Sequence, residues 1–271
     1  MILNSRYDFL KPFIVEKLIR LGRKFDGGYL VCSSAIKEID NLITLGVGDD
    51  ISFEIDLDKK IPLKKIQMYD YTVNHFLFFK IILKYIRRLI TFRTKLNNLT
   101  YSVKNYFNFI KFNKKSNVNL FKKRVTEKIE KDFDITLDEI LDNVKSEKNF
   151  LKLDIEGDEY SIIDSINKNH LKIKILIVEF HLINKKKDLF IKSVKNLINN
   201  FDIIHIHANN YFELKENDDF FEVCEITFVN KQINKFRERQ RHDFPIQDLD
   251  FECFPDRKKI KFSFKKKKNL K

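Results

Sequence analysis

The stretch LITLGVGDD, residues 42–50, is an apolar run of strand length that breaks into a glycine turn and two acids. A run this apolar, with little alternation, belongs to a strand buried on both faces of a parallel sheet. Working outward, other runs end in the same way. Ile66–Tyr69 stops at Asp70, Phe150–Leu153 at Asp154, and Ile173–Phe180 (IKILIVEF) at His181. Ile203–Ile206 and Val223–Val229 (VCEITFV) alternate enough to suggest a sheet edge. Helical segments fall between the runs. Thr136-Leu137-Asp138-Glu139 reads as a cap with acidic first-turn residues, opening a helix to about Val144. Asp158–Asn167 is a second helix, and Lys185–Asn200 a third with Leu189, Val194, Leu197 and Ile198 on its inner face. The βαβα order predicts an α/β domain with a mostly parallel sheet and a closing β pair. Ligands of such sheets bind beyond the carboxyl ends of the strands, so the residues just after each run are the candidate site.

Apolar residues make up 43% of the 271-residue chain and charged residues 34%, enough for one domain with a core, or one carrying a large insertion. Six glycines and four prolines exclude collagen-like and linker-like compositions. Cys32, Cys224 and Cys253 are too few and too scattered for a disulfide framework or a CxxC zinc site, and Cys32 and Cys224 read as buried small apolar residues with no base placed beside either by the motifs. Arg6 and Asp8 interrupt any apolar leader, so a reducing cytoplasm is the expected setting.

The net charge of +13 is unevenly placed. Residues 76–125 hold thirteen Lys or Arg and residues 257–271 hold nine, and neither segment has an acid. The remaining thirty basic and thirty-nine acidic residues give the body a net charge of −9. A uniformly basic nucleic-acid-binding domain would not look like this, and no nucleic acid partner is expected. No Asn/Asp-Pro-Pro-Tyr/Phe amino-methylating motif occurs either; Asn209-Asn210-Tyr211 lacks the prolines. In FLFFKIILKYIRRLITF (76–92), Lys80, Lys84, Arg87, Arg88 and Thr91 recur at helical spacing as one polar stripe. Charges every third or fourth position do not suit a bilayer span. Two readings stay open: a helix lying in an anionic membrane interface, at the inner face of the membrane, or a helix packed on the domain with its stripe in solvent. The lysine-rich end from Phe264 to Lys271 is either a solvated tail or a second contact for a polyanion.

Five of the six glycines mark tight turns in three clusters: Gly27-Gly28, Gly46 with Gly48, and Gly157. A GxG turn after a strand lets a nucleoside ligand lie against backbone amides, and an acid ending the next strand, here Asp70, can accept hydrogen bonds from both ribose hydroxyls. An ordinary tight turn is the alternative. The third glycine of a dinucleotide fingerprint is missing, because Ile51, Ser52 and Phe53 follow, so an adenosyl ligand without pyrophosphate fits better than NAD or FAD.

These residues reach a resemblance. Asp26-Gly27-Gly28-Tyr29-Leu30-Val31, the LGVGDD turn, Thr136 to Leu141 (TLDEIL) and LKLDIEGDEYSII (151–163) together resemble an FkbM-type methyltransferase, a branch of the class I S-adenosylmethionine-dependent methyltransferases. LDIEGDE is the most specific match; Ile177 to His181 (IVEFH) and His205 to Asn210 (HIHANN) follow in the family's order, so the likeness spans about 26–229. The resemblance implies a Rossmann-like seven-stranded sheet; the matching halves, 1–75 and 126–235, flank a basic segment at 76–125 that reads as a mainly helical insertion outside the likeness, and a C-terminal extension at 236–271 lies outside it too. The resemblance also implies S-adenosylmethionine at the Gly46/Gly48 turn, where Asp49, Asp70 and Asp154 are the further candidates to hold it, and O-methylation, often of sugars in surface glycans or secondary metabolites. Where family members often carry Glu-Pro after the second strand, this chain has Tyr71-Thr72 after Asp70.

A sugar hydroxyl must lose its proton as it is methylated. The acids and histidines after the strands are the candidates: Asp154, Glu156, Glu179, His181, His205 and His207. The expectation is that His181 or Asp154 takes the proton while Glu156 and Glu179 orient it or the substrate. For each histidine a purely structural role is the alternative. Asp154, Glu156 and His181 could instead hold Mg²⁺. A second class of function, a non-catalytic member binding an anionic membrane or polyanion through its basic segments, is motivated by the 76–125 segment.

Overall fold

The computed structural model describes residues 1–93, 95–215, 218–235 and 240–265. Its centre is a seven-stranded sheet: β1 (Asn41–Leu45), β2 (Lys65–Tyr69), β3 (Val118–Phe121), β4 (Asn149–Leu153), β5 (Ile173–Phe180), β6 (Phe201–Ala208) and β7 (Cys224–Asn230). The spatial order is β3-β2-β1-β4-β5-β7-β6. β7 runs antiparallel to both its neighbours and every other pair is parallel. The Rossmann-like sheet implied by the resemblance is therefore present, with the order reversing between β1 and β4. That reversal opens a crevice at the carboxyl ends of the two strands, where such sheets bind ligands.

The strands read as apolar runs because both faces are covered. Leu42, Ile66, Ile175 and Ile177 pack with Phe53 and Leu57 of α1 (Ser52–Lys60) on one face. Ile43, Leu45, Leu151, Leu153 and Val178 pack on the other with α4 (Leu137–Val144), α5 (Ile163–Lys168) and α6 (Lys187–Leu197). The cap at Thr136 forms as expected: its hydroxyl accepts from the Glu139 amide at 3.3 Å while Glu139 Oε2 accepts from the Thr136 amide at 3.0 Å. One buried charge pair ties α1 to β4, with Lys152 Nζ 3.6 Å from Glu54 Oε1, which also accepts the Thr44 hydroxyl at 3.0 Å.

One expectation is corrected. The 76–125 segment is mainly helical, as α2 (His75–Ile90) and α3 (Leu96–Asn113), but it is not wholly an insertion outside the sheet: Val118–Phe121 is β3, the edge strand. The closing pair lies at the sheet edge as its alternation suggests, with β7 antiparallel between β5 and the outermost strand β6. The C-terminal extension is more than a tail. Phe262–Phe264 forms a small sheet with Ile2–Leu3 and Asp243–Phe244, burying Phe262 and Phe264 in the core. Residues 266–271, the lysine-rich end, lie outside the described residues.

Candidate active site

The glycine turn after β1 is fixed by its neighbours. Gly46 has φ +79°, and a Cβ there would stand 1.6 Å from the carbonyl oxygen of Asp154. Gly48 has φ +62° with open space where a side chain would project. Asp70, at the end of β2, braces this turn. Its Oδ2 accepts from the amides of Val47 at 2.9 Å and Gly48 at 3.0 Å, and its Oδ1 accepts from the Thr72 amide, the Thr72 hydroxyl and the Val73 amide. Although burial works against its charge, these donors hold its pKa below the ordinary carboxylate value. Asp49 has an exposed side chain, and its carbonyl accepts from Asn105 of α3. Of the five expected cofactor-binding residues, the structure gathers Gly46, Asp70 and Asp154 around one cleft of about 190 Å³, whose walls include Tyr71, Arg124 and Ile155. Gly48 and Asp49 flank it without lining it.

At the end of β4 the chain turns sharply, with Glu156 at φ +57° and Gly157 at φ +111°. A non-glycine residue in the left-handed region persists only where its surroundings hold it. Glu159 does this holding. Fully buried, its Oε1 accepts from the amides of Ile155 at 3.2 Å and Gly157 at 3.0 Å, and faces His181 Nδ1 at 2.9 Å. His181 Nε2 then stands 3.9 Å from Asp154 Oδ1, 3.7 Å from Glu156 Oε2 and 3.9 Å from Glu179 Oε1. Burial opposes the charge on His181, but the Glu159 hydrogen bond and the surrounding carboxylates win, raising its pKa to about 9. Burial lifts Asp154 to about 6 against the pull of Lys152 and His181.

The electrostatics divide the expected roles. An imidazole with a pKa near 9 is a cation at neutral pH and has no lone pair to offer a proton. Asp154 is mostly ionised there and poised close to working pH, so it is the better proton acceptor of the two. The donor atoms of Asp154, Glu156 and His181 lie within 4.8 Å of one another, close enough to hold a metal ion. A protonated His181 already supplies the positive charge this group needs.

A second cleft, of about 420 Å³, opens on the other side of Asp154. Asp154 and Glu156 line both clefts. Asp26, Glu179 and Asn209 give the second cleft polar walls, and Tyr211, Phe212 and Phe254 give it aromatic ones. Burial, reinforced by Glu225 and Asp154, raises Asp26 to about 7; burial, reinforced by Asp154, holds Glu179 well above the ordinary carboxylate range. Asn209 Nδ2 donates to Glu179 Oε1 at 2.9 Å. Asn210 clamps the C-terminal segment, donating to the Phe254 carbonyl at 2.8 Å and accepting from its amide at 2.9 Å.

His205 and His207 do not join the site. They lie buried on the same side of β6, against Asp250, with His205 Nε2 2.9 Å and His207 Nδ1 3.4 Å from its Oδ1. His207, Glu225 and Cys253 also converge within 4.8 Å. Burial raises the Cys253 thiol well above its ordinary pKa, so it stays protonated at neutral pH and donates to Glu225 Oε1 at 3.4 Å. Sequence reasoning missed Asp26, Glu159, Asn209, Tyr71 and Phe254 as site residues. Asp26 and Glu159 lie inside the quoted motifs, whereas nothing local marks Phe254.

The strand order, the glycine turn after β1 and the acids ending β2 and β4 define a class I methyltransferase. A family model described as the methyltransferase FkbM domain matches residues 24–242, and the chain belongs to that family. No curated protein matches. Among solved structures the chain is similar to a precorrin-6y C5,15-methyltransferase from Geobacter metallireducens, at 14% identity over 73% of this chain and 87% of that one, with a TM-score of 0.33. It is also similar to the N-methyltransferase NodS from Bradyrhizobium japonicum, at 8% identity over 73% and 93% with a TM-score of 0.33. A dimethyladenosine transferase from Plasmodium falciparum shares 9% identity over 74% and 60%, with a TM-score of 0.35.

Proposed function

We propose that this chain is an S-adenosylmethionine-dependent O-methyltransferase acting on a sugar hydroxyl of a surface glycan or glycolipid. The observation that carries the reading is the meeting of the two clefts at Asp154 and Glu156. S-adenosylmethionine, which the class I fold uses in general, supplies an electrophilic methyl group when bound. The β1 side suits it: the Gly46 backbone and the Tyr71 ring wall the first cleft, and the space beside Gly48 is open. Asp70 would act there as the brace of the turn, since both its oxygens are already engaged by five donor groups.

The second cleft has the chemistry of a polyol site. Aromatic faces suit the apolar side of a sugar ring, and hydrogen-bonding groups suit its hydroxyls. A protonated Glu179 or Asp26 carboxyl can donate as well as accept, which a carboxylate cannot. The acceptor hydroxyl transfers its proton to Asp154, and the cationic His181, set between Glu159 on one side and Asp154 and Glu156 on the other, holds these groups in place. The non-catalytic alternative draws no support from a site this fully assembled.

Calorimetric titration with S-adenosylmethionine and S-adenosylhomocysteine tests the cofactor, with micromolar binding expected. Methyl transfer to a glycan acceptor should then persist in EDTA. Absence of binding by folded protein would overturn the cofactor assignment, and EDTA-sensitive turnover would restore the metal reading of Asp154, Glu156 and His181.

Glu159→Gln tests the positioning of His181. Removing the charge 2.9 Å from Nδ1 should lower the histidine pKa by roughly one to three units. The alkaline limb of the kcat/KM profile, expected near 9 in the wild type, should move down with it. An unmoved limb would separate the His181 charge from the reaction.

A further inference from the structure

We propose that α2 is a membrane-docking helix that seats the enzyme on an anionic lipid surface, with its row of exposed phenylalanine, leucine and isoleucine side chains inserted among the acyl chains. The helix has three faces. Phe78 is buried against α3, its ring tilted against those of Tyr106 and Phe109, and Ile81, Ile82, Tyr85 and Leu89 are half-buried on the same side. Lys80, Lys84, Arg87 and Arg88 are exposed on the second face. The third face is apolar and in water: Phe76 is 65% exposed, Phe79 52%, Leu83 53%, Ile86 37% and Ile90 71%. These five follow the spacing of one helical stripe, and Phe92, 96% exposed, continues past the helix end. The sequence showed the basic stripe but could not show that an apolar stripe beside it stays uncovered.

An exposed apolar row of this length marks an interaction surface. Charge decides what covers it. The segment 76–125 has thirteen basic residues and no acid, and among the described residues no carboxylate lies within salt-bridge distance of Lys80, Lys84, Arg87 or Arg88. A second copy would bring the same cations face to face. A nucleic acid would satisfy the basic face and leave the apolar row in water. An anionic bilayer satisfies both at once, with phosphates meeting the cations and acyl chains meeting the row. Lys80 is already arranged this way, its Nζ 4.6 Å over the Phe76 ring. Among the described residues no helix is long and apolar enough to cross a membrane, and the contact proposed is interfacial. Outside the two basic segments the chain has a net charge of −9, which turns its acidic body away from the lipid.

The placement links docking to the site. α2 starts directly after the Asp70–Asn74 turn that walls the first cleft, and α3 is bonded to the glycine turn through Asn105 to the Asp49 carbonyl and Tyr101 to Asp50. α2 thus starts beside the end of the sheet that carries the two clefts. Resting on the proposed glycan specificity, this narrows the acceptor to a sugar anchored in the membrane.

The chain has no tryptophan, so Phe76→Trp provides a reporter without background. With vesicles of phosphatidylglycerol and phosphatidylcholine, its emission should shift to the blue and be quenched by brominated acyl chains. Pure phosphatidylcholine should bind far more weakly, and added salt should release the protein. Leu83→Glu with Ile86→Glu, and separately Lys80→Ser with Lys84→Ser, Arg87→Ser and Arg88→Ser, should each weaken vesicle binding by more than about tenfold. S-adenosylmethionine affinity should be unchanged in every variant, which checks folding and separates this proposal from the cofactor reading. Lack of vesicle binding overturns the proposal, as does binding with unshifted emission. RNA binding that protects the reporter equally, or self-association abolished by Leu83→Glu with Ile86→Glu, would also overturn it.

Discussion

Asp154→Asn is expected to cut turnover by about two to four orders of magnitude, the usual contribution of a positioned general base. The amide keeps the size of the side chain and the backbone hydrogen bond from the Asp154 amide to the Leu45 carbonyl, 2.9 Å, so the β1–β4 junction should stay intact. What is lost is the acceptor for the proton. The pH profile makes the test specific. Burial raises Asp154 to about 6, so its basic form accumulates above that pH and kcat/KM should rise through about 6 in the wild type. The variant should lose this acidic limb along with its rate. Affinity for S-adenosylhomocysteine should change little, because the first cleft is also walled by Gly46, Tyr71 and Arg124. A variant that retains the acidic limb would move the proton acceptor elsewhere, with Glu156, 3.7 Å from His181 Nε2, as the next candidate.

The fold was legible where burial alone dictates sequence. β1, β4 and β5 must be apolar on both faces, and their runs announce them. β3 was not, because it is a four-residue edge strand whose Asn119 and Phe121 face solvent inside a lysine-rich stretch. Gly46, Asp154 and His181 stand out in the sequence because ligands of such sheets bind at strand ends, and the structure brings all three beside the two clefts. Their chemistry was less visible. Spacing presents His181 as a base, yet Glu159 beside Nδ1 makes it a cation, and only the folded turn brings that carboxylate to 2.9 Å. His205 and His207 fall two apart on β6, so they share a side, but no pattern shows that this side meets Asp250 and not the cleft. Asp26 and Phe254 come from opposite ends of the chain, and the Asn210 clamp that places Phe254 is a tertiary event.

Gly46→Ala should be the most destabilising single change among the glycines of the site, and the comparison with Gly48→Ala isolates the cause. Both positions have left-handed backbone, so each alanine incurs a conformational cost of about 1–2 kcal/mol. At Gly48 nothing lies within 4 Å of the added methyl, and the cost should end there, lowering Tm by a few degrees. At Gly46 the methyl meets the Asp154 carbonyl oxygen at 1.6 Å and its carbon at 2.6 Å. Neither side can yield easily. The Gly46 amide is bonded to the Tyr69 carbonyl at 3.0 Å, and the Asp154 amide to Leu45 at 2.9 Å, so relief requires parting β1 from β2 or β4. An additional cost on the order of 1–3 kcal/mol is expected, with Tm lowered by roughly ten degrees in total. The same displacement moves Asp154, so turnover should fall with stability at Gly46, while Gly48→Ala should act on cofactor affinity through the space beside the turn. Thermal unfolding of the two variants decides it: equal losses would mean that β1 and β4 are less tightly joined than their hydrogen bonds imply.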